Sequence, residues 1–214
     1  SNRWGPFEGD LLHLSYGKSS LFKIMKEQAG GQWQGGAVKF PLRFDSGIMR
    51  GRFNPVDGQL YTTGLRVWQS NGARYGAFHR VRYTGQPVHM PLRMNVVKSG
   101  ISITFTNALD ATSAVDDQNW AVDRWNYQWT KNYGSKMYSV EDPEKEVGNK
   151  KQGAFGGDPV QIKGIKLLDK KTVFLEIENI KQVMQSRIRY NIKAEDKTII
   201  KQEIFHTINR VPAQ

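Results

Sequence analysis

The sequence predicts an all-β chain in two parts: partial β-propeller blades over residues 1–88, then an immunoglobulin- or fibronectin-like β-sandwich over residues 89–214. Two short segments point to the first part. Gly9-Asp10-Leu11-Leu12-His13-Leu14 and Gly58-Gln59-Leu60-Tyr61-Thr62-Thr63 each read as a turn glycine feeding a strand, with a basic strand following after a polar gap. The two glycines lie about 49 residues apart, a spacing that suits one blade. The second part rests on a change of pattern near Thr84-Gly85-Gln86-Pro87, after which about seven short strands alternate with turn signals. A propeller closes with roughly 4–8 blades. There is room for two here, so the front of such a propeller is expected upstream of residue 1.

In the first part the strands are expected at Leu11–Tyr16, Leu21–Lys26, Ala37–Phe40, Met49–Phe53, Leu60–Gly64 and Phe78–Tyr83. Asn54-Pro55-Val56-Asp57-Gly58 is a turn: proline presets φ and Asp-Gly accepts positive φ. Gly30-Gly31 and Gly35-Gly36 flank Trp33 in a hairpin or loop, and Trp68 to Gly76 reads as a surface loop. In the second part Met94 to Thr106 is a strand, a turn at Ser99-Gly100 and a second strand of period two. Asn107 to Asp117 reads as a loop or one helical turn. Strands follow at Trp120–Trp129, Val160–Leu168, Thr172–Ile177, Ser186–Ala194 and Ile204–Ile208. Residues 141–159 are expected to form a mobile loop, and Glu178–Gln185 a helical turn.

Composition narrows the function classes. The 214 residues, 38% of them hydrophobic, can hold one large or two small domains, and no apolar run is long enough to span a bilayer. Cysteine is absent, which excludes disulfides, thiolate metal sites, cysteine nucleophiles and covalent c-type haem. The net charge is +11, yet Lys and Arg are scattered, with short runs at Lys150-Lys151 and Lys170-Lys171. There is no helix-turn-helix or RNA-binding aromatic signature, so the charge points away from nucleic acid and towards solubility or attraction to an acidic surface or polysaccharide.

Candidate sites follow from residue type and spacing. Arg50 and Arg52 share one strand face, where paired guanidiniums can hold a carboxylate-rich cofactor or an acidic sugar, or simply lie solvated or paired across a domain contact. Trp125, Tyr127 and Trp129 would also share a face, as a platform for sugar rings with Gln128 and Lys131 beside them, or as core. Trp33 and Trp68 sit among Gln32, Gln34, Gln69 and Asn71, which suits either a ligand contact or packing on a neighbouring blade. The histidines His13, His79, His89 and His206 lack metal-ligand spacing, and Asp110, Asp116, Asp117 and Asp123 lack the glycine of a calcium loop. Neither a catalytic residue set nor a metal site is expected. There is no Ser/His/Asp triad, P-loop or Rossmann fingerprint.

The ordered series Gly9-Asp10-Leu11-Leu12, Phe22-Lys23-Ile24-Met25, Gly35-Gly36-Ala37-Val38 and Gly47-Ile48-Met49-Arg50 resembles late blades of glucose/sorbosone dehydrogenase-like propellers, many of them pyrroloquinoline quinone (PQQ) enzymes. Asn54-Pro55-Val56-Asp57-Gly58-Gln59-Leu60-Tyr61 is similar to that family's Pro-Asp-Gly-x-Leu-Tyr turn-strand, with Val56 inserted. Ile103-Thr104-Phe105-Thr106, Trp125-Asn126-Tyr127-Gln128-Trp129, Tyr133-Gly134-Ser135 and His206-Thr207-Ile208-Asn209-Arg210-Val211-Pro212 resemble the C-terminal domain attached to such propellers. The resemblance implies an exported bacterial protein, secreted or periplasmic, whose catalytic histidine and calcium ligands lie in earlier blades. It also implies quinone contacts near Lys18, Arg50 and Arg52, although the local spacing departs from the PQQ-binding pattern.

The expected function is therefore that of a non-catalytic C-terminal portion of a sugar-dehydrogenase-like protein. It would complete the propeller with the remaining blades or a partner chain, and contact polysaccharide. The alternatives are a carbohydrate-binding module built on Trp33, Trp68, Trp125, Tyr127 and Trp129, and quinone-dependent sugar oxidation with PQQ and calcium in a full-length parent.

Overall fold

A computed structural model describes residues 3–131, 133–148 and 156–212, and within them the chain is all-β with antiparallel pairing throughout. The first strands are β1 (Leu11–Ser15), β2 (Ser20–Ala29), β3 (Gln32–Lys39), β4 (Gly47–Phe53), β5 (Leu60–Leu65), β6 (Gly76–Val81), β7 (Pro91–Val97) and β8 (Gly100–Phe105). After a short helix, α1 (Ala111–Val115), come β9 (Trp120–Tyr127), β10 (Met137–Tyr138), β11 (Glu146–Val147) and β12 (Asp158–Val160). The last four are β13 (Ile162–Asp169), β14 (Thr172–Ile177), β15 (Val183–Lys193) and β16 (Ile199–Ile208).

These strands form three sheets. The main one runs β1-β2-β3-β16-β15-β9-β10-β11, with β12 also paired to β9. A second runs β13-β14-β8-β7, and a third is the meander β4-β5-β6. None is closed. The second sheet packs on the main one as a β-sandwich. Ile101, Ile103 and Phe105 of β8 and Val173, Leu175 and Ile177 of β14 share a buried cluster with Ile188, Tyr190 and Ile192 of β15. Each set alternates with period two, so one face of each strand supplies the core.

Local chemistry explains the corners. Gly30 and Gly31 both have positive φ, at 52° and 82°, and close the β2–β3 hairpin. The turn at Asn54–Gly58 is bonded as the sequence predicts, with Gly58 N–H donating to the Asn54 carbonyl at 2.7 Å. Asp110 caps α1, its carboxylate accepting from Ser113 N–H at 2.8 Å.

Some elements differ from the sequence reading. The aromatic strand ends at Tyr127, leaving Trp129 in the following loop. Residues 178–182 form a turn leading into β15 rather than a helical turn, with Asn179 at a φ of 57°. Within the expected loop at 141–159, Glu146–Val147 and Asp158–Val160 are short strands, and residues 149–155 lie outside the described residues.

The main sheet crosses position 88/89. β3 pairs with β16 from Val38↔Ile204 to Gly35↔Thr207, and one buried cluster includes Leu21 and Val38 as well as Ile188 and Ile204. The two glycine-led strands also hold different positions. β1 lies at the edge of the main sheet, whereas β5 is the centre of the three-stranded meander.

Polar groups stitch the layers. Lys23 of β2 is 1% exposed, pairs with Asp10 Oδ2 at 2.9 Å and donates to the Leu92 carbonyl of β7 at 2.8 Å. Burial lowers its pKa, and the Asp10 carboxylate opposes that shift. Asp10→Ala strips the ammonium of its counter-charge and is expected to cost on the order of 3 kcal/mol. Urea denaturation should read this as a lower midpoint, largely restored by adding Lys23→Met; a single variant as stable as the parent would show the pair to be dispensable.

His206 of β16 lies on the core face between Ile204 and Ile208, 1% exposed. Neither ring nitrogen has a hydrogen-bond partner among the described residues. A Cβ at Gly36, its partner on β3, would come within 2.8 Å of the His206 Cβ, so a glycine there lets the two strands close.

Candidate functional site

One end of the main sheet carries a group of ligand-capable side chains. β9 and β16 finish there and β15 begins. A cleft of about 570 Å³ opens between them, lined by Asn126, Tyr127, Tyr138, Gln182, Thr207 and Asn209 among others. Its frame is tied down by hydrogen bonds. Met184 N–H donates to Asn126 Oδ1 at 2.9 Å, and Thr207 Oγ1 donates to the Met184 carbonyl at 2.8 Å. Asn209 donates from Nδ2 to the Trp33 carbonyl at 2.9 Å, and from its backbone N–H to Gln34 Oε1 at 2.9 Å.

Other groups stay open. The hydroxyls of Tyr127 and Tyr138 and the amide of Gln182 make no side-chain hydrogen bond among the described residues. Amides and phenols both donate and accept, which matches a ligand rich in hydroxyls. A second recess of about 440 Å³ adjoins, formed by Tyr127, Gln128, Trp129, Thr130, Ser135 and Met184. Trp129 is fully exposed at 101% and Tyr133 at 96%. Trp33 is 61% exposed, with the Lys26 ammonium 5.6 Å from its ring centre.

Among the described residues no charged side chain lines the cleft, and the charges near it are ion-paired. Glu141 pairs with Arg124 at 2.6 Å and Lys181 at 2.9 Å. Lys181 first and Arg124 second hold its carboxyl below the usual range. The cleft is thus a polar, largely uncharged recess edged by flat aromatics. Among the described residues its lining holds no paired free carboxylates and no nucleophile beside a base.

The sequence-predicted platform residues separate. Tyr127 and Trp129 reach this end, and Trp33 is joined to it through Asn209. Trp125, which the sequence reads as either platform or core, is 3% exposed. Gly157, just before the β12 strand that pairs with β9, lies against its indole: a Cβ there would come within 2.8 Å of the ring, and Gly157 N–H donates to Asp123 Oδ2 at 3.1 Å. Trp125 is part of the packed structure and leaves the platform set. Trp68, 76% exposed, lies at the opposite end, where Tyr16 Oη donates to its carbonyl at 3.0 Å.

Lys18 is in the β1–β2 turn near Trp68, and no bond joins it to Arg50 or Arg52. Those arginines lie exposed along β4 and donate to the Met49 and Gly51 carbonyls at 3.0 and 2.8 Å. No metal-binding group of three or more His, Asp or Glu occurs among the described residues. The acidic cluster is instead spent on structure: Asp110 and Asp116 cap helical turns and Asp123 pairs with Arg187.

Tyr138 and Gln182 carried no signal in the sequence, and Thr207 and Asn209 entered only within the C-terminal motif, not as site residues. They come from β10, the turn before β15, β16 and the segment after it, and only the topology brings them together. No protein-family model matches the chain, and neither a curated protein nor a solved structure matches it at a significant level.

Proposed function

We propose that the chain is a non-catalytic carbohydrate-binding β-sandwich that takes a neutral glycan at the Tyr127–Asn209 end of its main sheet. The observation that carries this reading is a cleft whose free phenols and amide stand beside the recess holding the exposed ring of Trp129, with Trp33, also exposed, tied to its frame through Asn209. A pyranose has an apolar face and a polar rim. An indole buries the face, while Tyr127, Tyr138 and Gln182 serve the hydroxyls.

A test is affinity electrophoresis through gels loaded with neutral polysaccharides, followed by calorimetry on whichever retards the protein. Trp129→Ala and Trp33→Ala should each weaken binding about tenfold, a loss of about 1.4 kcal/mol. Both rings are exposed, so the fold should hold. No retardation on any neutral glycan, or retardation unchanged in both variants, overturns the assignment.

The motif series supports a wider proposal, in which this is the C-terminal part of an exported bacterial sugar-dehydrogenase-like protein. The β4–β6 meander would then count as propeller-blade material and the sandwich as an immunoglobulin-like domain. The upstream reading frame tests it: four further blades before residue 1 are expected, and a gene that starts here refutes it.

A further inference from the structure

The exposed face of the β4–β5–β6 meander is a grid of arginines and aromatics. Cross-strand register puts Arg52, Tyr61 and Arg80 in one row and Arg50, Thr63 and Phe78 in the next. Residues directly opposite one another project to the same side. With strands about 4.8 Å apart, Arg52 and Arg80 flank Tyr61 across roughly 10 Å, and the second row lies about 7 Å along the strands. Arg50, Arg52, Thr63, Phe78 and Arg80 are exposed, whereas Leu60 and Thr62 on the other side are buried.

The aromatics are pre-arranged. Tyr61 and Phe78 stack with centroids 5.7 Å apart and planes at 28°, and Phe78 is 72% exposed. Tyr61 Oη donates to Asp57 Oδ2 at 2.7 Å, and Gln59 N–H donates to Asp57 Oδ1 at 2.9 Å, which locks the ring. The charges are not balanced. Arg50, Arg52 and Arg80 form no ion pair with a carboxylate among the described residues. Asp57 is the acid beside them, with Arg80 and Arg3 both acting on its charge.

We propose that this face binds a linear acidic polysaccharide of the uronate type, its sugar rings lying on Tyr61 and Phe78 and its carboxylates on Arg50, Arg52 and Arg80. Guanidiniums fork onto carboxylates, and the net charge of +11 favours encounter with a polyanion. Stacked rings with arginines also suit single-stranded nucleic acid. The fork fit of paired guanidiniums to carboxylates, in a chain with no helix-turn-helix or RNA-binding aromatic signature, favours the uronate; Asp57, whose oxygens already accept from Tyr61 and Gln59, takes no part in that choice. The site is on a different sheet from the neutral-glycan cleft and does not depend on it.

The probe is polygalacturonate, in affinity electrophoresis and calorimetry on the full chain, with dextran, oligothymidylate and PQQ as comparators. The parent protein should be retarded by polygalacturonate, less so at higher salt, and not by dextran through this face. Arg50→Gln with Arg52→Gln should weaken binding about a hundredfold and flatten the salt dependence. Phe78→Ala should weaken it about tenfold and leave the salt slope intact. This second variant carries no charge change, so it tests the platform even if the double variant folds poorly. Trp129→Ala should not alter polygalacturonate binding, which separates this site from the cleft.

Failure of the parent to bind polygalacturonate overturns the proposal, as does undiminished binding by both the arginine and Phe78 variants. Tighter binding of oligothymidylate than of polygalacturonate reassigns the face to nucleic acid. Uptake of PQQ without retention on polygalacturonate reassigns the arginines to a quinone.

Discussion

Acidification from pH 7 to pH 4 is expected to remove about 3 kcal/mol of stability through one side chain, His206. Burial drives its pKa from the ordinary 6.5 down to about 4. In the unfolded chain the ring takes its proton near pH 6.5; in the fold it stays neutral until about pH 4. The unfolded state therefore binds more protons across that window. Stability from this group is complete above pH 6.5, falls between 6.5 and 4, and changes no further below 4.

Urea midpoints at pH 7.5, 5.5 and 4.5 should fall in step, with an unchanged denaturant slope. His206→Leu should be at least as stable at pH 7.5, because it removes a polar ring without partners from an apolar site. It should also flatten the curve across that window. Parallel acid curves for parent and variant would assign the loss to other groups.

An effect of similar size is expected at the buried pair Asp123–Arg187. The two residues are register partners on β9 and β15, 6% and 9% exposed, and the contact is a two-pronged fork. Arg187 Nε donates to Asp123 Oδ1 at 3.0 Å and Nη2 to Oδ2 at 2.7 Å. Asp123→Ala should cost about 3–5 kcal/mol, because the guanidinium loses its counter-charge while remaining buried. It also frees Gly157 N–H, so the packing of Gly157 against Trp125 should loosen. A shift in tryptophan emission below the unfolding transition reports that step. The double replacement Asp123→Leu with Arg187→Met should recover most of the loss, and a double-mutant cycle separates the pair from its surroundings. If the single and double variants were equally unstable, packing rather than charge would dominate.

Much of the strand content was legible because a half-buried strand alternates. Thr172–Ile177 matches at both ends, since a polar turn precedes it and Val173, Leu175 and Ile177 mark one face. Alternation states which side a residue faces and not which strand lies beside it. That is why the β3–β16 pairing across position 88/89 was invisible, and why two similar glycine-led segments proved to be an edge strand and a central strand. Trp125 shows the same limit: its spacing from Tyr127 is right for a shared face, but it is buried, with Gly157, more than thirty residues on, packed against its indole. Arg50 and Arg52 were readable as a pair, whereas Tyr61, Phe78 and Arg80 joined them only through register.

The β3–β16 junction has a consequence for how the chain comes into being. Gln202 Nε2 donates to the Lys39 carbonyl, and the two residues are 163 apart in sequence. During synthesis at about 5–20 residues per second, β3 would wait roughly 10–30 s for its neighbour. Throughout that interval the nascent hairpin of β1–β3 exposes an open edge, the kind of surface that captures other strands. Closure over so long a loop also slows folding after release. The hazard of this architecture is therefore one of timing, greatest on the ribosome and gone once β16 has docked.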